Sequence, residues 1–334
     1  MKVSILIPVR DPDPGIFKEC LESINNQTCT DIEVVIVDNG GWSDDIQSII
    51  DSTITNYNPK VIIENNPGIR FALNTGLKAC DGELIARMDA DDVMTPDRIS
   101  RQVEFMEINT DTDVTAGNVE LLETIQRSDG MLQYVKEVNE LKSHDDIYHY
   151  RFIDSPVIHP SIMFRRSVLK FGDYPETEGE PEDYAMIMRW INNGVKFGKV
   201  DEKILYWRDS PTRLTRVHED YSRDSFHKVR MRYLPEAILN SIKGRDTWVW
   251  GAGKHGRRMI KEVERSGVNI AGTIDIVHDK KVDGRSSIHF KEIPPDGEVF
   301  ILSVVSNRGK HLEIRDHLNS AGYSEGLDYI RCIP

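Results

Sequence analysis

An α/β fold built on a mostly parallel sheet is what this sequence predicts, and three observations carry it. Short apolar runs recur at Lys2 to Ile7, Glu33 to Val37, Val61 to Ile63 and Leu84 to Ala86, with room for a helix between them. The intervening stretches place apolar residues three and four apart, as at Ile16, Cys20, Leu21 and Ile24. Polar, glycine-rich turns follow the runs, at the carboxyl ends of strands where α/β sheets bind ligands. Strand and helix alternating in this rhythm imply right-handed crossovers.

The elements follow in order. The first strand is stopped by Pro8-Val-Arg-Asp-Pro-Asp-Pro-Gly15, which breaks regular structure. The second ends in Asp38-Asn-Gly-Gly-Trp-Ser-Asp-Asp45. After Pro67-Gly68 a helix turns Ile69, Leu73, Gly76 and Leu77 inward. The strand at Leu84 to Ala86 leads into Asp89, Asp91 and Asp92. Thr95 and Pro96 then read as N-cap and first residue of a helix whose buried face holds Ile99, Val103 and Met106.

With 334 residues the chain has material for about two domains. A hydrophobic content of 39% and a charged content of 29% are those of an ordinary globular protein. The net charge of −13 argues against nucleic acid as a partner, because a phosphate backbone rewards a basic footprint. An anionic substrate would need local Lys, Arg or a metal ion. Cys20, Cys29, Cys80 and Cys332 form no Cys-x-x-Cys pair, which predicts free thiols and a cytoplasmic location. No run approaches the ~18–20 apolar residues of a spanning helix, so work at a membrane would be done from its inner surface.

Two acidic groups stand out chemically. The Asp89-x-Asp91 pair offers hard oxygen ligands to Mn²⁺ or Mg²⁺ and leaves room for substrate phosphates. Asp92 is open between a third ligand and a cap for the next helix, since carboxylates also suit the positive end of a helix dipole. Glu182 and Asp183 precede Tyr184, Ile187, Met188 and Ile191, one helix face that stops at Gly194. Both carboxylates therefore fall in a first helical turn, which favours the ionised form. Further on, Arg208, Arg213 and Arg216 lie among hydroxyls, and arginine forks suit phosphate oxygens. His218 is a further metal-ligand candidate, and His159 reads as a hydrogen-bonded core histidine.

Several stretches in order carry a family resemblance. They are Val3-Ser-Ile-Leu-Ile-Pro8, Leu21-Glu-Ser-Ile24 with Gln27-Thr28, Val34-Val-Ile-Val-Asp38, Pro67-Gly-Ile69, Ala72-Leu-Asn-Thr-Gly-Leu77 and Ile85-Ala-Arg-Met-Asp-Ala-Asp-Asp92. Pro96, Arg98, Gln102, His159-Pro-Ser161, Phe164-Arg-Arg166 and Glu182-Asp183 continue the series. Together they resemble family 2 inverting glycosyltransferases over roughly the first 215 residues. The resemblance implies the GT-A fold, a nucleotide-sugar-binding sheet with flanking helices, over residues 1–240. It implies sugar transfer from a nucleotide diphosphate, a UDP-sugar first, to a glycan or lipid-linked acceptor in surface-polysaccharide synthesis. Asp183 would be the base, with Glu182 supporting it or binding the acceptor, and Asp89 and Asp91 would hold the metal. Pro8, Arg10, Asp11, Asp38, Arg70, Asp89, Arg208 and Arg213 would line the nucleotide sugar. Two departures touch that pocket: Asp38-Asn-Gly-Gly-Trp42 replaces the family's Val-Asp-Asp-Gly-Ser pattern, and Arg10-Asp11 replaces its Tyr-Asn.

After Gly244 the pattern restarts. A strand at Asp246 to Trp250 runs into Gly251-Ala-Gly-Lys-His-Gly256, and a second strand from Ile270 ends in Asp275 about twenty residues on. That is the Rossmann fingerprint, with Gly251, Gly253 and Gly256 for a phosphate and Asp275 for a ribose. A small Rossmann-like α/β domain over 245–334 is expected, with room for half a dinucleotide fold. Two other functions stay open: a nicotinamide-dependent sugar oxidoreductase, and a non-catalytic nucleotide-binding protein.

Overall fold

The computed structural model describes residues 1–334 apart from 44, 123–128, 211, 212, 252, 278–281, 283, 296, 306–308 and 334. Contacts divide the chain into two compact units, residues 1–147 with 157–222, and residues 148–156 with 223–334.

The first unit is built on an eight-stranded sheet. Its strands are β1 (Val3–Val9), β2 (Ile32–Asp38), β3 (Lys60–Ile63), β4 (Leu84–Arg87), β5 (Val93–Met94), β6 (Val114–Leu122), β7 (Met163–Arg165) and β8 (Phe197–Arg208). Their order is β3-β2-β1-β4-β7-β6-β8-β5. The first four run parallel. β7 is antiparallel to both β4 and β6, so the sheet is mixed in its second half. β1, β2 and β4 are buried almost throughout, as parallel strands covered on both faces must be.

Local chemistry accounts for most of the helices. Pro14–Asn25 opens on proline, with the Asp13 carboxylate accepting the N–H groups of Gly15 (2.9 Å) and Ile16 (3.0 Å). Ile69–Ala79 lies so close to the sheet that a Cβ on Gly76 would sit 2.1 Å from Leu6 Cδ1 and 2.9 Å from Val37 Cγ2. Glu182–Asn192 ends just before Gly194, whose φ is +79°. One boundary differs from expectation. The helix after the aspartates spans Arg98–Ile108 with Asp97 as its cap position, and Thr95 and Pro96 precede it. Pairing of β5 with β8 holds the preceding backbone extended, and the Gln27 amide donates to the Thr95 carbonyl at 2.8 Å. Tertiary contacts thus delay the helix that Thr95 and Pro96 would start.

Glu33 illustrates how the sheet's amino end is stabilised. Burial opposes its charge, but Lys60 (2.6 Å), the Ser4 hydroxyl and the Asp81 N–H (2.8 Å) together hold its carboxyl down at about 2. A depressed folded-state value stabilises the protein above the unfolded carboxylate's range and loses that contribution as pH falls toward 2. We expect Glu33→Gln to lower the urea midpoint at pH 7 and to lose this penalty progressively below about pH 4.5. A penalty independent of pH would rule out the charge as its source.

The second unit carries β9 (Asp246–Trp250), β10 (Ile270–Asp275), β11 (Ser287–His289), β12 (Val299–Ser303) and β13 (Tyr329–Arg331), all parallel, in the order β11-β10-β9-β12-β13. The order reverses direction between β9 and β12, which makes a switch point beside Gly251. The sheet therefore reaches past the half fold that the length suggested. β13 escaped the sequence reading because three residues carry no readable period. Trp250, Ile274, Ile301 and Tyr329 pack with Ile314 and Leu318 of the helix Lys310–Ser320. All four cysteines are free, and Cys20, Cys80 and Cys332 are buried.

Candidate active site

The carboxyl ends of β1, β2 and β4 adjoin one another and present the acidic residues together. Asp89, Asp91 and Asp92 each offer an oxygen, and the three lie within 4.8 Å of one another. The turn that holds them is fixed from outside. The backbone N–H of Arg208 donates to Asp92 Oδ1 (2.8 Å), Arg208 Nε donates to the Asp91 carbonyl (2.8 Å), and its Nη2 meets Glu19 (2.6 Å). Asp92 is fully buried, and its Oδ2 has no hydrogen-bond partner among the described residues. It does not cap the next helix.

Crowding sets the protonation of this cluster. Burial and then Asp89 push Asp91 up to about 6. Asp92 rises well above the usual carboxylate range through burial, Asp89 and Asp91. Three converging oxygens, an orphaned buried one among them, fit a hard divalent cation, which would relieve the mutual repulsion.

Arg87, at the end of β4, is the cation these groups share. Its Nη2 lies 2.5 Å from Asp89 Oδ1, while Nε and Nη1 are buried without a hydrogen-bond partner among the described residues. Burial alone would lower its affinity for a proton, yet Asp89 raises it overall. The same guanidinium lowers Asp91, Asp92, Glu182 and Asp183. A second buried arginine, Arg98, supports it from behind. Arg98 donates to the Arg87 carbonyl (2.8 Å) and to Gln102 (3.1 Å), whose amide donates to the Ser161 carbonyl (2.9 Å). Burial brings Arg98 down to about 9, so it stays charged at neutral pH.

Glu182 and Asp183 occupy the first turn of their helix as expected. Glu182 is buried and pushed up to about 8 by burial and by Asp183, and Tyr221 Oη donates to its Oε2 at 2.5 Å. Asp183 is half-buried, and its Oδ1 accepts the Tyr184 N–H at 2.6 Å. Burial also raises Asp183, against the pull of that N–H and of Arg87. Two carboxyls this close titrate as a pair. The deeper one holds its proton the more tightly, and the accessible one is a carboxylate of raised basicity. Tyr174 lies in the same field, and its hydroxyl is 2.7 Å from His159 Nε2. His159 is buried and held neutral by burial and by Arg87, a hydrogen-bonded core histidine.

Pro8, Arg10, Asp11 and Asp38 lie at or just beyond the carboxyl ends of β1 and β2. Asp38 Oδ1 accepts the Gly40 N–H (2.7 Å), and the Asp11 N–H donates to the Gly40 carbonyl (3.0 Å). Asn39, which the sequence showed only as a departure, ties this edge together. Its amide donates to the carbonyls of Glu64 (3.0 Å) and Asn66 (2.8 Å), and its Oδ1 accepts the Gly68 N–H (2.9 Å).

The arginines divide. Arg213 stacks 4.1 Å from the Trp207 ring centroid and is near enough to lower Asp91. Arg208 is engaged with the aspartate turn. Arg70 is engaged with the carbonyls of Glu176 (3.3 Å) and Thr177 (2.6 Å) and with Asp220. Arg216 pairs with Asp209 at 2.6 Å. His218 lies against Asp220 and is not part of the aspartate cluster. Gly251, Gly253, Gly256 and Asp275 belong to the second unit. There Gly251 has a φ of +116°, a Cβ on Gly256 would meet the Gly251 carbonyl oxygen at 1.7 Å, and a Cβ on Gly253 would meet nothing within 4 Å. Asp275 ends β10 and accepts the Val277 N–H at 3.2 Å.

Comparison with known proteins places this architecture. The chain resembles Staphylococcus aureus TarS, residues 1–349, solved with UDP-GlcNAc, at a TM-score of 0.55 and 21% identity, over 72% of this chain and 67% of that one. The fold is therefore GT-A, the class of nucleotide-sugar-binding α/β proteins. The family model described as Glycosyl transferase family 2 matches residues 4–172. An Escherichia coli UDP-Gal:alpha-D-GlcNAc-diphosphoundecaprenol beta-1,3-galactosyltransferase is 30% identical over 212 residues, 63% of this chain and 74% of that protein. The amylovoran biosynthesis glycosyltransferase AmsE of Erwinia amylovora is 29% identical over 195 residues, 57% and 70% of the two chains. This chain belongs to glycosyl transferase family 2 and is a nucleotide-sugar glycosyltransferase.

Proposed function

We propose that this enzyme transfers a hexose from a UDP-sugar, with inversion and with Mn²⁺ or Mg²⁺, to a hydroxyl of a glycan or lipid-linked acceptor in surface-polysaccharide synthesis. The observation that carries this reading is the convergence of Asp89, Asp91 and Asp92, whose oxygens lie within 4.8 Å of one another just after β4, with the buried Arg87 paired to Asp89. The TarS complex with UDP-GlcNAc and the galactosyltransferase's UDP-Gal support a UDP donor, and the latter's diphosphoundecaprenol acceptor supports a lipid-linked one. The lipid-linked acceptor of that relative supports a peripheral place at the inner membrane surface; no helix among the described residues is long and apolar enough to cross a membrane.

In this mechanism Asp183 takes the proton of the acceptor hydroxyl, and Glu182 beneath it retains its own. Pro8, Arg10, Asp11 and Asp38 bind the nucleoside, and Arg213 faces the diphosphate. Asp89 and Asp91, with Asp92, would hold the cation. When bound, it supplies positive charge to the departing diphosphate. Arg208 contributes by fixing Asp91 and Asp92, and Arg70 by fixing the loop before the base. We read the second unit as a module that holds a nucleotide or similar ligand. Gly251 and Gly256 are explained by backbone conformation and packing, but Gly253 is not, and a glycine there lets a phosphate approach the backbone.

The test is UDP release from UDP-galactose, UDP-glucose and UDP-N-acetylglucosamine with Mn²⁺ or Mg²⁺. Release from one donor should disappear with EDTA and fall at least about 100-fold in Asp91→Ala. Turnover untouched by both would overturn the metal-dependent reading.

A further inference from the structure

Three anchors converge on the few residues ahead of the proposed base, and all involve side chains that the mechanism above leaves outside the chemistry. The short turn Glu219–Tyr221 is the source of two of them. Asp220 Oδ1 accepts the Gly179 N–H at 2.8 Å, and its Oδ2 takes Arg70 Nη2 in an ion pair whose side chains are 8% and 11% exposed. The other nitrogen of Arg70 grips the carbonyls of Glu176 and Thr177. Tyr221 reaches one step further and donates to Glu182 itself. The loop 176–181 is thus held at its start by Arg70 and in its middle by Asp220, and its exit into the helix is held by Tyr221.

Here a buried ion pair is set more than a hundred residues apart in sequence and aimed at the peptide groups that fix where the base helix begins. We propose that Asp220 and Tyr221, with Arg70, are positioning residues for the base: they set the depth and rotamer of Glu182 and, through it, the place of Asp183. The proposal rests on the reading of Asp183 as the base. A displacement of about 1 Å in a reacting group costs on the order of 100-fold in rate, so small slippage of this turn has a large consequence.

The experiment is a double-mutant cycle on UDP release with Mn²⁺, using whichever of the three UDP-sugars above turns over. Tyr221→Phe removes one hydroxyl and keeps the ring. We expect kcat to fall about 10- to 100-fold while the donor KM stays within about twofold. In an Asp183→Asn background the same change should have no further effect, because its route to the chemistry is already cut. Asp220→Asn should behave likewise, and it carries the cycle if Tyr221→Phe folds poorly. Hydrogen exchange gives a reading without turnover: amides of residues 179–184 should exchange faster in both variants. If Asp183→Asn keeps near-normal turnover, the base assignment itself fails. If Asp183→Asn is inactive but Tyr221→Phe leaves kcat unchanged, loses activity additively, or leaves exchange at 179–184 unaltered, the positioning role is overturned.

Discussion

Replacing Asp183 with asparagine is expected to lower turnover about 100- to 10,000-fold, the usual contribution of a positioned general base. The change keeps the shape and the oxygen that accepts the Tyr184 N–H, so the helix start should persist. UDP affinity, measured calorimetrically with Mn²⁺, should stay within about twofold, because the residue is neither among those proposed to bind the nucleoside nor in the aspartate cluster. The pH profile adds a signature. Burial raises Asp183, and the proton it must lose for activity is therefore held to higher pH than on an ordinary aspartate. Activity should fall with acid on a limb displaced upward, and that limb should vanish in the variant. Turnover within tenfold of the parent enzyme would remove Asp183 from the chemistry.

The second large effect should come from Arg87→Met. The guanidinium is 3% exposed and Asp89, its partner, 29% exposed. Removing one side of a buried pair leaves the other charge uncompensated, which costs about 3 kcal/mol or more. Asp91, Asp92, Glu182 and Asp183 lose the same cation. We expect the urea midpoint to drop accordingly and turnover to be lost. Arg87→Lys should recover only part of both, since a point charge on a flexible stem cannot replace the planar fork beside Asp89. A stability change under about 0.5 kcal/mol for Arg87→Met would show that the carboxylates are compensated by something else.

Much of the site was legible because its signals are local. The Asp-x-Asp turn at the end of a buried strand, and Glu182-Asp183 ahead of an apolar helix face, can be read within about ten residues of chain. The structure adds Asp92 to the aspartate cluster and sends its carboxylate to the Arg208 N–H, which a capping argument cannot foresee. Asn39 looked like a defect in a family pattern and is the residue that fastens its own turn to the loop 64–68 by three hydrogen bonds. Arg208 was matched to phosphate by residue type and Arg70 to the nucleotide sugar by the resemblance; in the fold their guanidinia are engaged with protein carbonyls and carboxylates.

The alternation of strands and helices as far as β4, the family and the acidic residues were determined by the sequence itself, since side-chain periodicity and short motifs act over one element at a time. Which charges are shared was decided only by the tertiary structure. The Arg87 guanidinium acts on Asp183 across nearly a hundred residues of chain, and Arg70 meets Asp220 across 150. Burial at those meetings turns ordinary carboxylates into groups of altered basicity, and no window of sequence contains both the group and what surrounds it.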